Sequence, residues 1–305
     1  MRPIAGLLLM IAVSVLILSG CGGEEPAAPV KSNRAPMVTQ LTSNHEVFEA
    51  NPMYSPDGAW ILFESDVTGN RDIWRIPATG GEAQQLTSDS GFDTAPFWSP
   101  DGTRVVFESD RSGFKNIWIL DVGSPQSDPV QLTSGSWDDG DPVWSPDGTL
   151  IAHESNRDKD LGSDIWVSPV DGGPARRLTT TGYGIYHRTA DWSPDGARLV
   201  FESNREDEYS ALHTMPVSGG SVTRITPKAG YEGHPAWSPD GEEIIFESRR
   251  TGVMEIFKIP ADGGEIFQVT TGGGFWPRWS PDGASIVYCV FGDPEPNIWV
   301  VEVDW

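Results

Sequence analysis

The sequence is poor in the residues that build disulfide or metal frameworks, and poor in basic residues. Two cysteines among 305 residues can form neither a disulfide framework nor a four-cysteine zinc site. Lys and Arg number 21 against 44 Asp and Glu, and the resulting net charge of −23 excludes the basic stripe that nucleic-acid binding requires. The five histidines form no His-Glu-x-x-His motif, and Gly-x-Ser-x-Gly and phosphate-loop motifs are also missing. We therefore expect no catalytic residue, no resident metal and no cofactor.

Turn-forming and aromatic residues are abundant instead. The chain contains 34 Gly and 25 Pro, together with 13 Trp, 12 Phe and 6 Tyr, and 38% of its residues are hydrophobic. This composition provides enough apolar surface for a packed core and many residues for tight turns. It favours a folded, turn-rich β protein.

The N-terminus has the pattern of a targeting segment. Residues 1–20 contain one basic residue, a long apolar stretch and then small residues, which predicts a cleaved signal peptide. Leu18-Ser19-Gly20-Cys21 resembles the lipobox of bacterial lipoproteins, and that resemblance implies cleavage before Cys21 and lipid on this residue. Gly22 after the cysteine implies the outer membrane. Residues 21–36, rich in Pro, Ala and Gly, predict a flexible tether. The alternative is a retained membrane anchor, for which the apolar core is short.

An internal repeat fixes the architecture of residues 37–305. Ser-Pro-Asp-Gly occurs six times at intervals of 42 to 48 residues, starting at Ser55, Ser99, Ser145, Ser193, Ser238 and Ser280. An aromatic residue precedes each copy, and an Ile-Trp-like pair and a Leu-Thr-like pair follow in most units. The pattern of each unit predicts four short strands. Six units of four strands at this period predict an all-β, six-bladed β-propeller.

The last unit lacks its fourth strand, whereas residues 38–42 carry the fourth-strand pattern near the other end of the chain. We therefore expect this N-terminal strand to complete the last blade and close the ring, which would leave no open sheet edge.

The Trp-Ser-Pro-Asp-Gly repeats, with Ser-x-Arg after the second strand and Leu-Thr in the fourth, resemble the TolB-type, WD40-like propeller family. The resemblance covers residues 37–305. It implies the propeller fold and a location in the cell envelope. With the lipobox, it leads us to expect a monomer on the periplasmic side of the outer membrane, attached to the membrane through lipid only.

Strand order places the Ser-Pro-Asp-Gly and Gly-Gly turns on one face, and the loops between strands 2 and 3 and between strands 4 and 1 on the other. An aromatic residue recurs in all six 4–1 loops and a carboxylate in four of them, which predicts an acidic, aromatic-lined funnel for an envelope protein or a basic peptide. Packing between blades is the alternative role for these side chains. The candidate ligand-binding residues are Glu49, Phe92, Asp93, Trp137, Asp139, His187, Tyr231, Glu232, His234 and Trp276.

A glutamate recurs at the end of strand two in five blades, as Glu64, Glu108, Glu154, Glu202 and Glu247, and Cys289 takes its place in the sixth. Four of these glutamates precede an arginine by three residues. The pattern predicts either a structural Glu–Arg or Glu–backbone network or a carboxylate ring that binds a cation.

A competing hypothesis makes the protein a metal-dependent lyase or hydrolase. His187 and His234 lie in neighbouring 4–1 loops and are expected to approach each other, with nearby acids completing a site. His153 and His213 replace core aromatic residues of their blades and are expected to be packing residues.

Overall fold

The computed structural model describes residues 37–43, 46–124, 128–158, 162–180, 182–206, 208–227, 230–291 and 295–303, all within one compact unit of residues 35–304. In these ranges the chain is all-β, with 24 strands in six four-stranded antiparallel sheets and no helix. Accordingly, none of the described residues belongs to a helix that could span a membrane. The predicted signal peptide, Cys21 and the tether lie outside the described residues.

The strands follow the chain blade by blade. The N-terminal strand is β1 (Val38–Gln40). Blade 1 contains β2 (Glu49–Tyr54), β3 (Trp60–Ser65), β4 (Asp72–Pro77) and β5 (Gln84–Gln85). Blade 2 contains β6 (Asp93–Trp98), β7 (Arg104–Ser109), β8 (Asn116–Asp121) and β9 (Val130–Gln131). Blade 3 contains β10 (Asp139–Trp144), β11 (Leu150–Ser155), β12 (Asp164–Pro169) and β13 (Arg176–Arg177).

The second half repeats this arrangement. Blade 4 contains β14 (His187–Trp192), β15 (Arg198–Ser203), β16 (Ala211–Pro216) and β17 (Thr223–Arg224). Blade 5 contains β18 (Glu232–Trp237), β19 (Glu243–Ser248), β20 (Glu255–Pro260) and β21 (Phe267–Gln268). Blade 6 contains β22 (Phe275–Trp279), β23 (Ser285–Phe291) and β24 (Pro296–Glu302). The first strand of each blade contacts the first strand of the next, including β22 with β2, so the first strands surround a central channel. The six-bladed propeller predicted from the repeat is confirmed.

The Ser-Pro-Asp-Gly turns are held by the same hydrogen bonds in every blade. In blade 1 the Ser55 hydroxyl donates to the Asp57 carboxylate over 2.6 Å and accepts from the Trp60 backbone N–H over 2.9 Å. The Gly58 N–H donates to the Ser55 carbonyl over 2.8 Å, and Gly58 has φ +71°, a conformation in which a Cβ is unfavourable. The motif is therefore a self-contained turn, which explains its repetition.

The fourth strands are short, and their Leu-Thr pairs attach them to the blade. The Thr87 hydroxyl accepts a hydrogen bond from the Ile73 N–H over 2.9 Å, while the Leu86 N–H donates to the Ile73 carbonyl. Near the N-terminus, β1 pairs antiparallel with β24, and the Thr42 hydroxyl accepts from the Ile298 N–H over 3.0 Å. In these contacts residues 38–42 occupy the fourth-strand position of blade 6.

The core lies between adjacent blades. Phe63, Phe107, Phe201 and Phe246 are fully buried at equivalent positions of their second strands. His153 occupies this position in blade 3, where its Nε2 lies 3.0 Å from the Ser168 hydroxyl. His213 is equally buried and stacks on Phe201 with ring centroids 6.1 Å apart. Both histidines are packing residues, as predicted.

Candidate functional site

The channel opens on two faces of different chemistry. We call the end that carries the Ser-Pro-Asp-Gly and Gly-Gly turns the turn face, and the end that carries the 2–3 and 4–1 loops the loop face. A cavity of about 260 Å³ on the turn face is lined by the proline rings of all six Ser-Pro-Asp-Gly turns and by tryptophans. A cavity of about 410 Å³ on the loop face is lined by aromatic and charged side chains. The charged candidates therefore concentrate at the loop face.

A ring of strained residues lies just inside the loop face. One residue near the start of each of the six innermost strands, the third in five strands and the second in β22, has a positive φ between 46° and 51°. None of these residues is glycine, and the strand pairing shifts register there. This left-handed ring consists of Asn51, Ala95, Asp141, Thr189, His234 and Trp276. Each such residue costs on the order of 1–3 kcal/mol, and strain of this kind clusters at functional sites. The ring narrows the channel to a cavity of about 40 Å³.

Three of the strand-two glutamates cap this ring from the preceding blade. A carboxylate oxygen of Glu64 accepts the Ala95 backbone N–H over 2.9 Å. Glu108 accepts the Asp141 N–H over 3.2 Å, and Glu247 accepts the Trp276 N–H over 2.9 Å. The Glu–backbone network predicted from the repeat is therefore present in these blades. Its hydrogen bonds join the glutamate of one blade to the backbone of the next.

Each of these three carboxylates also has a cationic partner. Arg71 lies 3.7 Å from Glu64, and the Lys115 ammonium lies 2.7 Å from Glu108. Arg71 and Lys115 occupy the same position, one residue before the third strand, as the strand register demonstrates.

Blade 5 uses a histidine instead. His234 Nδ1 lies 3.0 Å from Glu247. Burial alone would lower the pKa of His234, but Glu247 and the neighbouring carboxylates raise it to about 9. The imidazolium in turn holds the pKa of Glu247 below its usual value despite burial.

Within the described ranges, Glu154 and Glu202 have neither a ring N–H nor a cation as a partner. Among the described residues Glu154 accepts one hydrogen bond, from the Ser163 hydroxyl over 3.3 Å, and Glu202 accepts one, from the Tyr231 hydroxyl over 3.3 Å. The position that carries Arg71 or Lys115 in blades 1 and 2 is Ser163 in blade 3 and Ser210 in blade 4. Burial, and after it the Asp141 carboxylate, raises the pKa of Glu154 to about 8. Burial raises the pKa of Glu202 to about 7 against the opposing charges of His234 and Arg188.

The arginines of the Ser-x-Arg motif pair with other acids than the sequence predicts. Arg111 donates to the fully buried Asp93 over 2.6 Å, and its Nε donates to the Ser109 hydroxyl over 3.0 Å. Arg157 pairs with Asp139, and Arg250 with Glu232, in the same way. Side chains alternate between the two faces of a strand, so the arginine that folds over the serine reaches the acid opposite it and not the adjacent glutamate. The predicted Glu–Arg pairing is wrong.

The candidate acids of the 4–1 loops are consequently buried and do not face the funnel. Asp93, Asp139 and Glu232 are fully buried in their arginine pairs. Glu49 is also buried, and burial raises its pKa. Trp137 is half-buried, donates to Asp139 over 3.3 Å and stacks on Arg157.

The remaining candidates divide between funnel and core. Phe92 is 55% exposed at the rim of the 410 Å³ cavity, and Trp276 lines both loop-face cavities. The Tyr231 hydroxyl lies 3.3 Å from Glu202 and 3.3 Å from Glu247. His187 is fully buried against Phe201, whereas His234 lines the channel.

These positions argue against the predicted joint site of His187 and His234, because the His187 ring packs in the core of blade 4. Within the described ranges, no three His, Cys, Asp or Glu side chains come together in a way that could hold a metal ion. The described part of the chain therefore provides no ligand group for a metal ion.

Sequence reasoning selected His234 and Trp276 but missed the other four residues of the left-handed ring, which are Asn51, Ala95, Asp141 and Thr189. A signal existed, since proline follows the ring residue in five blades, always two residues before the aromatic of the repeat. These prolines are Pro52, Pro96, Pro142, Pro235 and Pro277.

Comparison with known proteins agrees with this architecture. The family model described as the TolB beta propeller domain, PD40, matches residues 84–203 and 185–304. A structure assigned to TolB of Agrobacterium tumefaciens is 26% identical, covers 73% of this chain and 81% of that chain, and superposes with a TM-score of 0.64. An oligogalacturonate lyase from Vibrio parahaemolyticus is 14% identical over 90% of this chain and 95% of its own, with a TM-score of 0.61, and thus shares the fold.

One relative among curated proteins is Atu1656 of Agrobacterium fabrum, an uncharacterized protein that is 44% identical over 39 residues. The match covers 13% of this chain and spans only 13% of that relative.

Proposed function

The chain belongs to the TolB β-propeller domain family, and on that premise we propose that it acts as a non-catalytic protein-binding scaffold of the cell envelope. Its partner is an envelope protein or a basic peptide, which it binds as a monomer at the loop face.

The observation that carries this proposal is a group of three carboxylates, of which Glu154 and Glu202 belong to the repeated strand-two position. Asp141, Glu154 and Glu202 form no ion pair with any described residue, and the aromatic rings of Phe92 and Trp276 lie at the same end of the channel. A nearby cation favours the ionised form of such carboxylates, so this site, with its accessible aromatic faces, attracts cations by charge and by cation–π contact. The cavity on the opposite face is lined mainly by proline and tryptophan rings, and its acidic lining residue, Asp191, accepts the Trp237 backbone N–H over 2.8 Å.

The location is part of the same proposal. The pattern of residues 1–20 and the lipobox ending at Cys21 support export and lipid attachment, and Gly22 supports the periplasmic side of the outer membrane. At about 3.3 to 3.6 Å per residue, the tether 21–36 would let the propeller act roughly 50 Å from its anchor. Mass spectrometry of the mature N-terminus tests this part, and an unmodified Cys21 would remove the anchor.

The enzyme alternative has one observation in its favour, the His234–Glu247 pair in the channel of a fold shared with an oligogalacturonate lyase. The absence of a metal-binding group among the described residues argues against a metal-dependent version. Metal bound stoichiometrically to the purified protein and lost on His234→Ala would favour the enzyme.

Site-specific cross-linking tests the scaffold proposal. A photoreactive phenylalanine analogue at Phe92 should link to a protein of defined mass in an envelope extract. The yield should fall between 50 and 500 mM salt, where the Debye length shortens roughly threefold. The same analogue at Glu242, an exposed residue of the turn face, is the matched control. Products from Glu242 alone, or a yield at Phe92 that ignores salt, would contradict the proposal.

A further inference from the structure

Asp141 occupies the point where the wide loop-face cavity meets the narrow one. It is the acidic side chain that lines both the 410 Å³ and the 40 Å³ cavity. Its backbone N–H is held by Glu108, but its carboxylate accepts no hydrogen bond and forms no ion pair among the described residues. Burial and the Glu108 charge raise its pKa. A carboxylate in this position lacks a partner that the ordinary rules of protein interiors would supply.

Carboxylates of two neighbouring blades lie close to this point. A Cβ added at Gly140, the residue before Asp141, would lie 2.5 Å from a carboxylate oxygen of Glu108 and 3.5 Å from one of Glu154. Glycine at this position therefore admits both side chains. Arg188 is the cation of this sector, yet it forms no ion pair within 4.0 Å with any residue that the structure describes, and it stacks over Tyr186 at 4.1 Å.

A second, independent observation concerns Thr189. This residue is only 7% exposed, has a positive φ although it is β-branched, and lines the narrow cavity together with Asp141. Its hydroxyl oxygen is buried and has no hydrogen-bond partner among the described residues. A buried hydroxyl without a partner costs free energy, and strain at a β-branched residue is maintained only where the surroundings impose it. Both point to a group that is bound here in the working protein.

We propose that Asp141 and Thr189, with the added negative charge of Glu154 and Glu202, bind the ammonium group of one lysine side chain of the partner. This rests on the proposed function, since it names the chemistry recognised at the loop face. The Asp141 carboxylate and the Thr189 hydroxyl supply acceptors for the donors of an ammonium group. The aliphatic stem of the lysine passes through the wide cavity, beside Phe48, Phe92 and Trp276.

The geometry favours an ammonium over the other common cations. A cavity of about 40 Å³ suits a compact group the size of a water molecule. A guanidinium group is planar, carries five donors and prefers bidentate carboxylates. A metal ion would need a group of ligands that the described residues do not form.

Two cations also line the narrow cavity, but both already have partners. His234 lies 3.0 Å from Glu247, and Arg278 donates to the Pro235 carbonyl over 3.2 Å. They form the far wall, which stops a cation at the level of Asp141.

Binding of the lysine should strengthen as the pH rises from 6 to 9. The lysine ammonium keeps its proton over this range, whereas Glu202 and Glu154 lose theirs near pH 7 and pH 8. The charged and titratable groups that face these two carboxylates are Glu108, Asp141, Glu247, Lys115, Arg188, Tyr231 and His234. Because His234 loses its positive charge near pH 9, its titration changes affinity in the same direction.

Calorimetric titration of the protein with three blocked tripeptides tests the proposal. Acetyl-Gly-Lys-Gly-amide should bind at least tenfold more tightly than the norleucine and arginine analogues, and more tightly at pH 9 than at pH 6. Asp141→Asn should weaken lysine binding at least tenfold, whereas Glu242→Gln, an equal change of charge on the turn face, should leave it unchanged. Ser210→Lys, which places a competing ammonium beside Glu202, provides an independent variant if Asp141→Asn fails to fold, as judged by circular dichroism.

Equal binding of the norleucine peptide, or lysine binding that survives both substitutions, would overturn the proposal. Calcium binding without binding of the lysine peptide would overturn it as well. Cross-linking at Phe92 that persists in Asp141→Asn would leave the scaffold proposal standing while removing the lysine subsite, so the two failures can be distinguished.

Discussion

Blades 1 and 2 and blades 3 and 4 carry the same glutamate at the end of strand two, but they use it differently. In the first pair, Glu64 and Glu108 hold the backbone of the next blade and are neutralised by Arg71 and Lys115. In the second pair, Glu154 and Glu202 neither bond the backbone of the next blade nor form an ion pair with a described residue. The comparison teaches that a repeated residue acquires its role from its neighbours and not from the repeat.

The difference originates in a position that the repeat does not fix. The residue before strand three is basic in blades 1 and 2 and serine in blades 3 and 4. This position lies in a loop just before the strand, and loop positions vary more than the strands they connect. Because this residue varies, the carboxylates of blades 3 and 4 lack the cation that the same position supplies in blades 1 and 2. A bound ligand can supply a cation in this sector of the channel.

The largest expected effect on the free energy of unfolding comes from removing a glutamate that has both a backbone and a cationic partner. Glu247→Ala should lower the free energy of unfolding by about 3 kcal/mol at pH 7, because it deprives His234 of its ion pair and Trp276 of its cap. Glu154→Ala is the matched variant in the unpartnered sector and should cost less than half as much. Urea denaturation measures both, and equal losses would mean that the two sectors do not differ energetically.

The pH dependence of stability should separate the sectors next. The pKa of Glu154 is raised from 4.5 to about 8 in the folded protein, so its contribution is complete below pH 4.5 and is lost as the pH rises through 8. Glu154→Gln cannot titrate. Relative to the wild-type protein it should therefore gain at least about 1.4 kcal/mol of stability between pH 6 and pH 9.

Denaturation midpoints at the two pH values measure this gain. Glu242→Gln, at an exposed position, should shift both midpoints alike. If Glu154→Gln also shifts both midpoints by the same amount, Glu154 does not have the raised pKa that this prediction requires.

A transplanted cation should convert one sector into the other. Ser210→Lys gives blade 4 the arrangement of Lys115 and Glu108, so it should lower the pKa of Glu202 and stabilise the protein at pH 9 by about 1 kcal/mol. Ser210→Met, which copies Met254 of blade 5, has a side chain of similar length without charge and serves as the control. Equal stability of the two variants at pH 9 would mean that a side chain at position 210 does not contact Glu202.

The smallest effect is expected at the turn face. Asp147→Asn should cost about 0.5 kcal/mol, because the amide oxygen can still accept hydrogen bonds from Ser145 and Thr149, though more weakly than a carboxylate. Binding of the lysine peptide should stay within a factor of two of wild type by calorimetry. A large loss of binding would mean that the two faces are coupled.

Sequence reasoning predicted much of this molecule and failed at identifiable points. The Ser-Pro-Asp-Gly period predicted the turns, the four strands of each blade and the face that carries the loops. It also selected Phe92, His234 and Trp276, which line or rim the channel. It assigned Arg111 to Glu108, whereas Arg111 pairs with Asp93 on the neighbouring strand. The sequence alone does not distinguish an acid on the same strand from an acid on the strand beside it.

The sequence by itself determined the turns, the strands and their number, because each depends on residues within a few positions of one another. Only the tertiary structure decided which carboxylates are neutralised. The ring backbone that Glu64 caps lies 31 residues away, in the next blade. Asp141 forms no ion pair among the described residues, although His234, Lys115 and Arg188 lie close enough to oppose the rise in its pKa. Charge pairing depends on distances of a few ångströms between blades, which local periodicity does not specify.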